Sequence, residues 1–327
     1  MPVVCSTVPE QRFKHFGVSF PEGWTVRFVI PPFTDERILE QGRDAQYLLV
    51  DSAHPVSADL IRAMPKLRLV HTEGVGFNKV DLQAAKEAGV YVCNNRAVNN
   101  IAVAEHTVGM ILAGLRRTAL VDRQIKTQGY LRTEKAYLTQ GERELYGQRV
   151  GLIGFGAIGR ETAARLNAFG CKICYYDAYR PEPEVEKALH AEYMELDELL
   201  RECDVISLHV PVLPATEGLI NAKTLRMMKP TALLVNTARG EIVVSEDLAE
   251  ALEAGIIYGA ALDTVAPEPM PDDHPLRKLS EQAAARLTLT PHVGGRTDEA
   301  FRRMLRGAVD NFARVENGEE PINIVNG

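Results

Sequence analysis

The sequence has few cysteines, no long apolar run, no block of like charge and no internal repeat. Five cysteines among 327 residues are an odd and sparse set, which excludes a disulfide scaffold. Cys171 and Cys174 have C-x-x-C spacing, but they open an apolar strand-like run (172–176) and not a helix N-terminus, where the dipole would activate a thiol. Cys5, Cys93 and Cys203 stand alone, so the second pair that structural zinc needs is missing. The cysteines read as packing residues, and no metal site is expected. The most apolar stretch, 101–115, is interrupted by Glu105 and His106, well short of the ~20 apolar residues that span a bilayer. Residues 1–20 show no apolar block ahead of a cleavage motif, so a cytoplasmic location is expected. The net charge is −7 with both signs interspersed, which leaves no electrostatic footprint for nucleic acid. The 25 glycines follow no three-residue period, which excludes collagen.

What is present is the composition of a folded globular protein, 46% hydrophobic and 25% charged. The length is about twice the ~150 residues of a typical domain, so two domains are expected. Short β-branched runs at 25–30, 46–50, 67–71 and 90–93 alternate with amphipathic stretches at 57–64 and 80–88. That alternation predicts a parallel sheet covered by helices. A long helical pattern covers 99–126, and the polar stretch 127–148 reads as a surface arm and a candidate interface; separately, a homodimer is expected. From Arg149 the alternation restarts with six strand-like runs, at 149–153, 172–176, 204–208, 232–235, 258–262 and 287–289. An amphipathic helix at 298–315 lies beyond the last of them and is expected to return to the first domain.

The strongest local signal is Gly154-Phe155-Gly156-Ala157-Ile158-Gly159, between a strand and a helix. Glycines there permit a tight turn and close backbone approach, and the helix N-terminus offers unpaired N–H groups to a pyrophosphate. Asp177 ends the next strand, where a carboxylate takes ribose hydroxyls and repels a 2′-phosphate, so NAD is expected over NADP. Ligands of open α/β sheets sit beyond the carboxyl ends of the strands. Each strand end here carries a polar group: Asp177, His209, Asn236 to Arg239, Asp263 and His292. His292 can move a proton at an alcohol near neutral pH. Glu268, fixed between Pro267 and Pro269, is a candidate to orient it, since a carboxylate bonded to an imidazole favours its protonated form. Arg239 can grip a carboxylate through its planar fork.

Taken in order, the glycine loop, His209-Val210-Pro211 with Thr216, the run 235–240, the segment from Ala261-Leu262-Asp263 to Glu268-Pro269, and Thr290-Pro291-His292 resemble the D-isomer-specific 2-hydroxyacid dehydrogenases. The resemblance implies a catalytic set of Arg239, Glu268 and His292. It implies a cofactor site that includes Thr107, Gly154, Gly156, Ala157, Ile158, Gly159, Asp177, His209, Val210, Pro211 and Thr216. Thr237, Ala238, Arg239, Asp263, His292 and Gly294 complete it, with Asp263 against the nicotinamide carboxamide. Gly74-Val75-Gly76 resembles a backbone loop for the substrate carboxylate, so Val75 and Gly76 join Arg239 and His292 as substrate-binding residues. The implied fold is α/β with two doubly wound domains and a cleft between them. One is a Rossmann NAD-binding domain over 99–296; the other is a discontinuous, flavodoxin-like substrate domain over 1–98 and 297–327.

The implied reaction is hydride transfer between a nicotinamide and C2 of a small 2-hydroxy or 2-oxo acid. Glu268 distinguishes the chain from formate dehydrogenases, which carry glutamine at that place. Arg96 stands where many members have proline, Val98 where some have an aromatic residue, and Gly294-Gly295 is a small pair after the histidine. These departures leave the substrate open among glyoxylate, hydroxypyruvate, pyruvate, a phosphorylated acid and a sugar acid. The alternative on the same fold is an NADH-sensing binding protein of corepressor type.

Overall fold

The computed structural model describes residues 1–51, 54–140 and 142–327, and these form two compact units, 1–99 with 296–327, and 100–295.

Five parallel strands build the sheet of the first unit: β1 (Val3–Ser6), β2 (Thr25–Phe28), β3 (Tyr47–Val50), β4 (Leu69–Thr72) and β5 (Tyr91–Cys93). Their order is β2-β1-β3-β4-β5, the flavodoxin-like arrangement. Side chains alternate between two cores. Cys5, Leu48, Val50, Val70 and Val92 face one side, while Val4, Tyr47, Leu49, Leu69 and Cys93 face the other. The second face is covered by the helix Asp298–Glu316, which brings Leu305, Ala308, Val309 and Phe312 onto it. Thr297 caps that helix by accepting the Ala300 N–H at 3.1 Å.

The second unit holds β6 (Arg149–Ile153), β7 (Lys172–Tyr176), β8 (Ala191–Tyr193), β9 (Val205–Leu208), β10 (Leu233–Asn236), β11 (Gly259–Leu262) and β12 (Leu287–Leu289). All are parallel, in the order β12-β11-β10-β9-β6-β7-β8. The order reverses at β6 and β9, the topological switch point where doubly wound sheets open a ligand crevice. Here too both faces are buried, with Leu233 and Val235 on one side and Leu234 on the other. The helix Asn100–Arg116 packs closely on β10, because a Cβ on Gly114 would meet the Leu233 side chain at 2.9 Å.

Two strands were not foreseen. β1 is only four residues long and ends in Cys and Ser, so its membership of the sheet comes from being paired on both sides, by β2 and β3. β8 is a three-residue, partly exposed edge strand. The long helical pattern at 99–126 is two helices, because Arg117 takes a left-handed φ of 45° and separates Asn100–Arg116 from Thr118–Gln128. The stretch read as a polar arm contains the helix Tyr130–Gln140; residue 141 lies outside the described residues. The five cysteines are free. Cys174 and Cys203 are buried in the core, and burial pushes the Cys171 thiol up to about 11.

Candidate active site

The turn between β6 and the helix Ala157–Ala168 is shaped by its glycines. Gly154 has a φ of 100°, and a Cβ there would meet the His209 backbone at 2.7 Å. A Cβ on Gly159 would run into the carbonyl oxygen of Gly154, so this glycine lets the helix close onto the turn. Gly156 is the N-cap and faces open space. No side chain caps the helix, so its leading amides, including those of Ala157 and Ile158, keep no side-chain acceptor. Asp177 leans on the same turn: its Oδ2 accepts the Phe155 N–H at 2.6 Å and its Oδ1 the Tyr179 N–H at 3.0 Å. A bare helix N-terminus beside open space, with a half-buried carboxylate at the next strand end, fits a dinucleotide with free ribose hydroxyls.

Further along the edge of the sheet, His209 follows β9. Its Nε2 shares a hydrogen bond with Ser207 Oγ at 3.0 Å, and burial pushes the imidazole down to about 4, so the ring is neutral at physiological pH. Thr216 closes the loop that starts at Val210, with Oγ1 accepting the Leu213 N–H at 2.8 Å and donating to the Pro211 carbonyl at 2.5 Å. Thr107 and Thr237, 130 residues apart, meet at 2.8 Å; the Thr107 hydroxyl donates to the Val103 carbonyl, so Thr237 is the donor.

Arg239 stands after β10 on a turn built by Asn236, whose Oδ1 accepts the Ala238 N–H at 3.0 Å and whose Nδ2 donates to the Arg239 carbonyl at 2.8 Å. The guanidinium is exposed, bonds the Ala238 carbonyl at 2.6 Å and has no acidic partner among the described residues. Gly240 then lies directly against the backbone of Val265 and Ala266, where a Cβ has no room. This close approach joins the Arg239 turn to the loop that carries Glu268.

His292 follows β12. Its Nδ1 and Glu268 Oε2 are 2.7 Å apart, with the two side chains 40% and 39% exposed, so the pair is open to a ligand. The His292 backbone has a left-handed φ of 53°, unusual for this residue type, and it is held in place by Asp263. The Asp263 carbonyl accepts the His292 N–H at 2.7 Å. The Asp263 carboxylate accepts the Val293 N–H at 2.9 Å and the Gly294 N–H at 2.8 Å. Burial would raise this carboxyl, but donors from His106, Thr290, Val293 and Gly294 outweigh it and hold the group well below the usual carboxylate range.

In the first unit, Val75 and Gly76 sit in the loop after β4. The Val75 carbonyl accepts Asn94 Nδ2 at 2.7 Å, and the Gly74 carbonyl accepts the Asn95 N–H at 3.0 Å. Asn95 also ties this loop to the last helix, with Nδ2 donating to the Met304 carbonyl at 3.2 Å. The two asparagines were not read as site residues. Their partners lie about twenty residues back and two hundred on, and no local spacing marks them.

The family described as D-isomer specific 2-hydroxyacid dehydrogenase, NAD binding domain, matches residues 108–294. Among curated proteins, the glyoxylate reductase of Thermofilum pendens is 41% identical over 296 residues, covering 90% of this chain and 85% of its own length. The glyoxylate reductase of Aeropyrum pernix is 38% identical over 315 residues, covering 96% and 90%. Among solved structures, the NAD complexed form of the D-isomer specific 2-hydroxyacid dehydrogenase from Lactobacillus delbrueckii ssp. bulgaricus superposes with a TM-score of 0.83 at 25% identity, over 99% of this chain and all of the other. The chain belongs to the D-isomer specific 2-hydroxyacid dehydrogenase family and is an NAD-dependent oxidoreductase.

Proposed function

We propose that the chain reduces a small 2-oxo acid, glyoxylate in the first place, to its 2-hydroxy acid, with Arg239, Glu268 and His292 as the catalytic set. The observation that carries this reading is the 2.7 Å bond between Glu268 and His292 at the carboxyl edge of the cofactor-binding sheet. Bound NADH supplies the hydride that reaches C2. Glu268 occupies Nδ1 of His292, which leaves Nε2 to give a proton to the oxygen on C2, and to take it back in the oxidative direction. Such acid–base help is worth ~10²–10⁴ in rate. Arg239, with no acidic partner among the described residues, binds the substrate carboxylate and polarises the C2 carbonyl. Val75 and Gly76, in the loop after β4 of the first unit, are the backbone substrate-binding residues of this proposal. Asp177 and the amides of Ala157 and Ile158 bind the dinucleotide, in a domain spanning 99–296. The remaining cofactor residues are Gly154, Gly156 and Gly159 of the turn, Thr107 on the helix Asn100–Arg116, and, beyond the strand ends, His209, Val210, Pro211, Thr216, Thr237, Ala238, Arg239, Asp263, His292 and Gly294.

Glyoxylate is favoured because the relatives named above are glyoxylate reductases. A cytoplasmic homodimer is part of the proposal. The large apolar residues exposed on the helices Thr118–Gln128 and Tyr130–Gln140, Tyr130, Leu131 and Leu138 among them, support self-association. Among the described residues, no helix is long and apolar enough to cross a membrane.

The test is NADH consumption by the purified chain with glyoxylate, hydroxypyruvate, pyruvate and a phosphorylated 2-oxo acid. The expected result is turnover with the highest kcat/KM for glyoxylate. Preference for the phosphorylated acid overturns the substrate assignment. Tight NADH binding with no turnover of any acid overturns the reading as a whole and favours the corepressor-type sensor.

A further inference from the structure

The imidazole of His106, on the helix Asn100–Arg116, lies within the network that shapes the His292 turn, with hydrogen-bond partners other than His292 and Glu268. Its Nε2 is 3.1 Å from Thr290 Oγ1 and 3.3 Å from Asp263 Oδ1. Thr290 Oγ1 is itself 2.5 Å from the same Asp263 oxygen. Hydrogen bookkeeping assigns the direction of each bond. An ionised carboxylate only accepts, so the single Thr290 hydroxyl proton points at Asp263, and the Thr290 oxygen can meet His106 only as an acceptor. His106 therefore carries a proton on Nε2 and shares it between Thr290 and Asp263.

The arrangement explains why residue 294 is a glycine. A Cβ on Gly294 would meet Asp263 Oδ2 at 2.9 Å and His106 Cδ2 at 3.1 Å, so the space beside this residue is filled by the imidazole and by the carboxylate it supports. The Asp263 side chain is only 2% exposed, and solvent offers it few donors. Its carboxylate must be fixed by the protein, and it in turn fixes the two consecutive amides that follow His292, those of Val293 and Gly294.

We propose that His106 is a positioning residue for proton transfer: through Thr290 and Asp263 it sets the strained turn from which His292 acts. This rests on the reading of His292 as the proton donor. Removing a donor from a buried carboxylate loosens that turn, and a small misplacement of a reacting group costs up to ~100-fold in rate.

The experiment compares His106→Leu, which removes the donor, with His106→Gln, whose side-chain amide places an N–H near the position of Nε2. Two readouts are used. The first is amide hydrogen exchange at Val293 and Gly294 in the free protein, which needs no turnover. The second is the split of kcat from KM in 2-oxo acid reduction, with the NADH dissociation constant followed by fluorescence. The expected result for His106→Leu is faster exchange at both amides and a kcat lowered about 10- to 100-fold, with KM for the 2-oxo acid unchanged and the NADH dissociation constant, which also reads Asp263, raised by less than kcat falls. His106→Gln should restore both slow exchange and kcat. Unchanged exchange in His106→Leu overturns the inference whatever the turnover is, and so does a full kcat in that variant or a failure of His106→Gln to rescue. Absence of turnover in the unaltered chain instead overturns the proposed function, while the exchange comparison still judges the network.

Discussion

His292 Nδ1 and Glu268 Oε2 meet at 2.7 Å across a gap of 24 residues, and each side chain remains more than a third exposed. One nitrogen of the imidazole is thereby committed, and the proposed mechanism assigns the other to the substrate. His292→Gln is expected to lower kcat by ~10²–10⁴ while NADH binding, followed by fluorescence titration, is retained. A fully active variant rules out the proton-donor role. Glu268→Gln keeps a hydrogen-bonding side chain of the same size but loses the charge, so its kcat should lie between those of the unaltered chain and Glu268→Leu.

Asp177 holds the glycine turn with the carboxylate that we propose also binds the cofactor. Asp177→Asn retains one carbonyl acceptor for the backbone N–H groups of Phe155 and Tyr179 but loses the charge. Loss of a charged hydrogen-bond acceptor of this kind costs about 1.5–3 kcal/mol, so the NADH dissociation constant should rise roughly 10- to 100-fold. NADPH, no longer repelled, should gain relative to NADH. An unchanged ratio of the two dissociation constants would remove the ribose assignment.

Gly240 touches the backbone of Val265 and Ala266, and a methyl group there cannot be absorbed by a side-chain rotation. Gly240→Ala should destabilise the protein by about 1–3 kcal/mol and separate the Arg239 turn from the Glu268 loop. Urea unfolding gives the first quantity and kcat/KM the second. A variant with native midpoint and native activity would contradict this packing.

Acid should weaken the fold through its buried histidines. His71 is fully buried on β4, its Nδ1 bonded to the Thr72 carbonyl at 2.8 Å, and burial pushes its pKa down from 6.5 to about 4. Between those two values the unfolded chain binds the proton and the native state does not. Stability from this residue is therefore complete above about pH 6.5 and falls as the pH drops toward 4, by an amount on the order of 3 kcal/mol. His71→Leu should flatten that slope, read as the difference in urea-unfolding free energy between pH 7.5 and pH 5; the half-buried His209 titrates in the same window and keeps part of the slope. An identical slope in the two proteins rules out this account of His71.

Much of the site was readable because its chemistry sits at strand ends, and a strand end is a local feature. Gly154, Asp177, His209, Arg239, Asp263 and His292 each follow a short apolar run in the sequence, and a parallel sheet must gather such ends on one edge. The same locality explains the misses. The pattern at 99–126 is continuous in its apolar spacing, and only the backbone of Arg117 divides it. β1 and β8 carry too few residues for a period to be counted, and their pairing partners define them.

The amino-acid order by itself determined the class of fold, the glycine turn with its acidic partner, the cofactor, and the residue types available for moving a proton. Those follow from spacing along the chain, which backbone geometry converts directly into strands, turns and helix ends. Tertiary structure alone decided that the imidazole of His106 stands beside Asp263, that Thr107 meets Thr237, and that Gly240 must be bare because another loop passes against it. Contacts between segments more than a hundred residues apart, and the close approach of two backbones, depend on how packed layers come together, and no spacing within either segment encodes them.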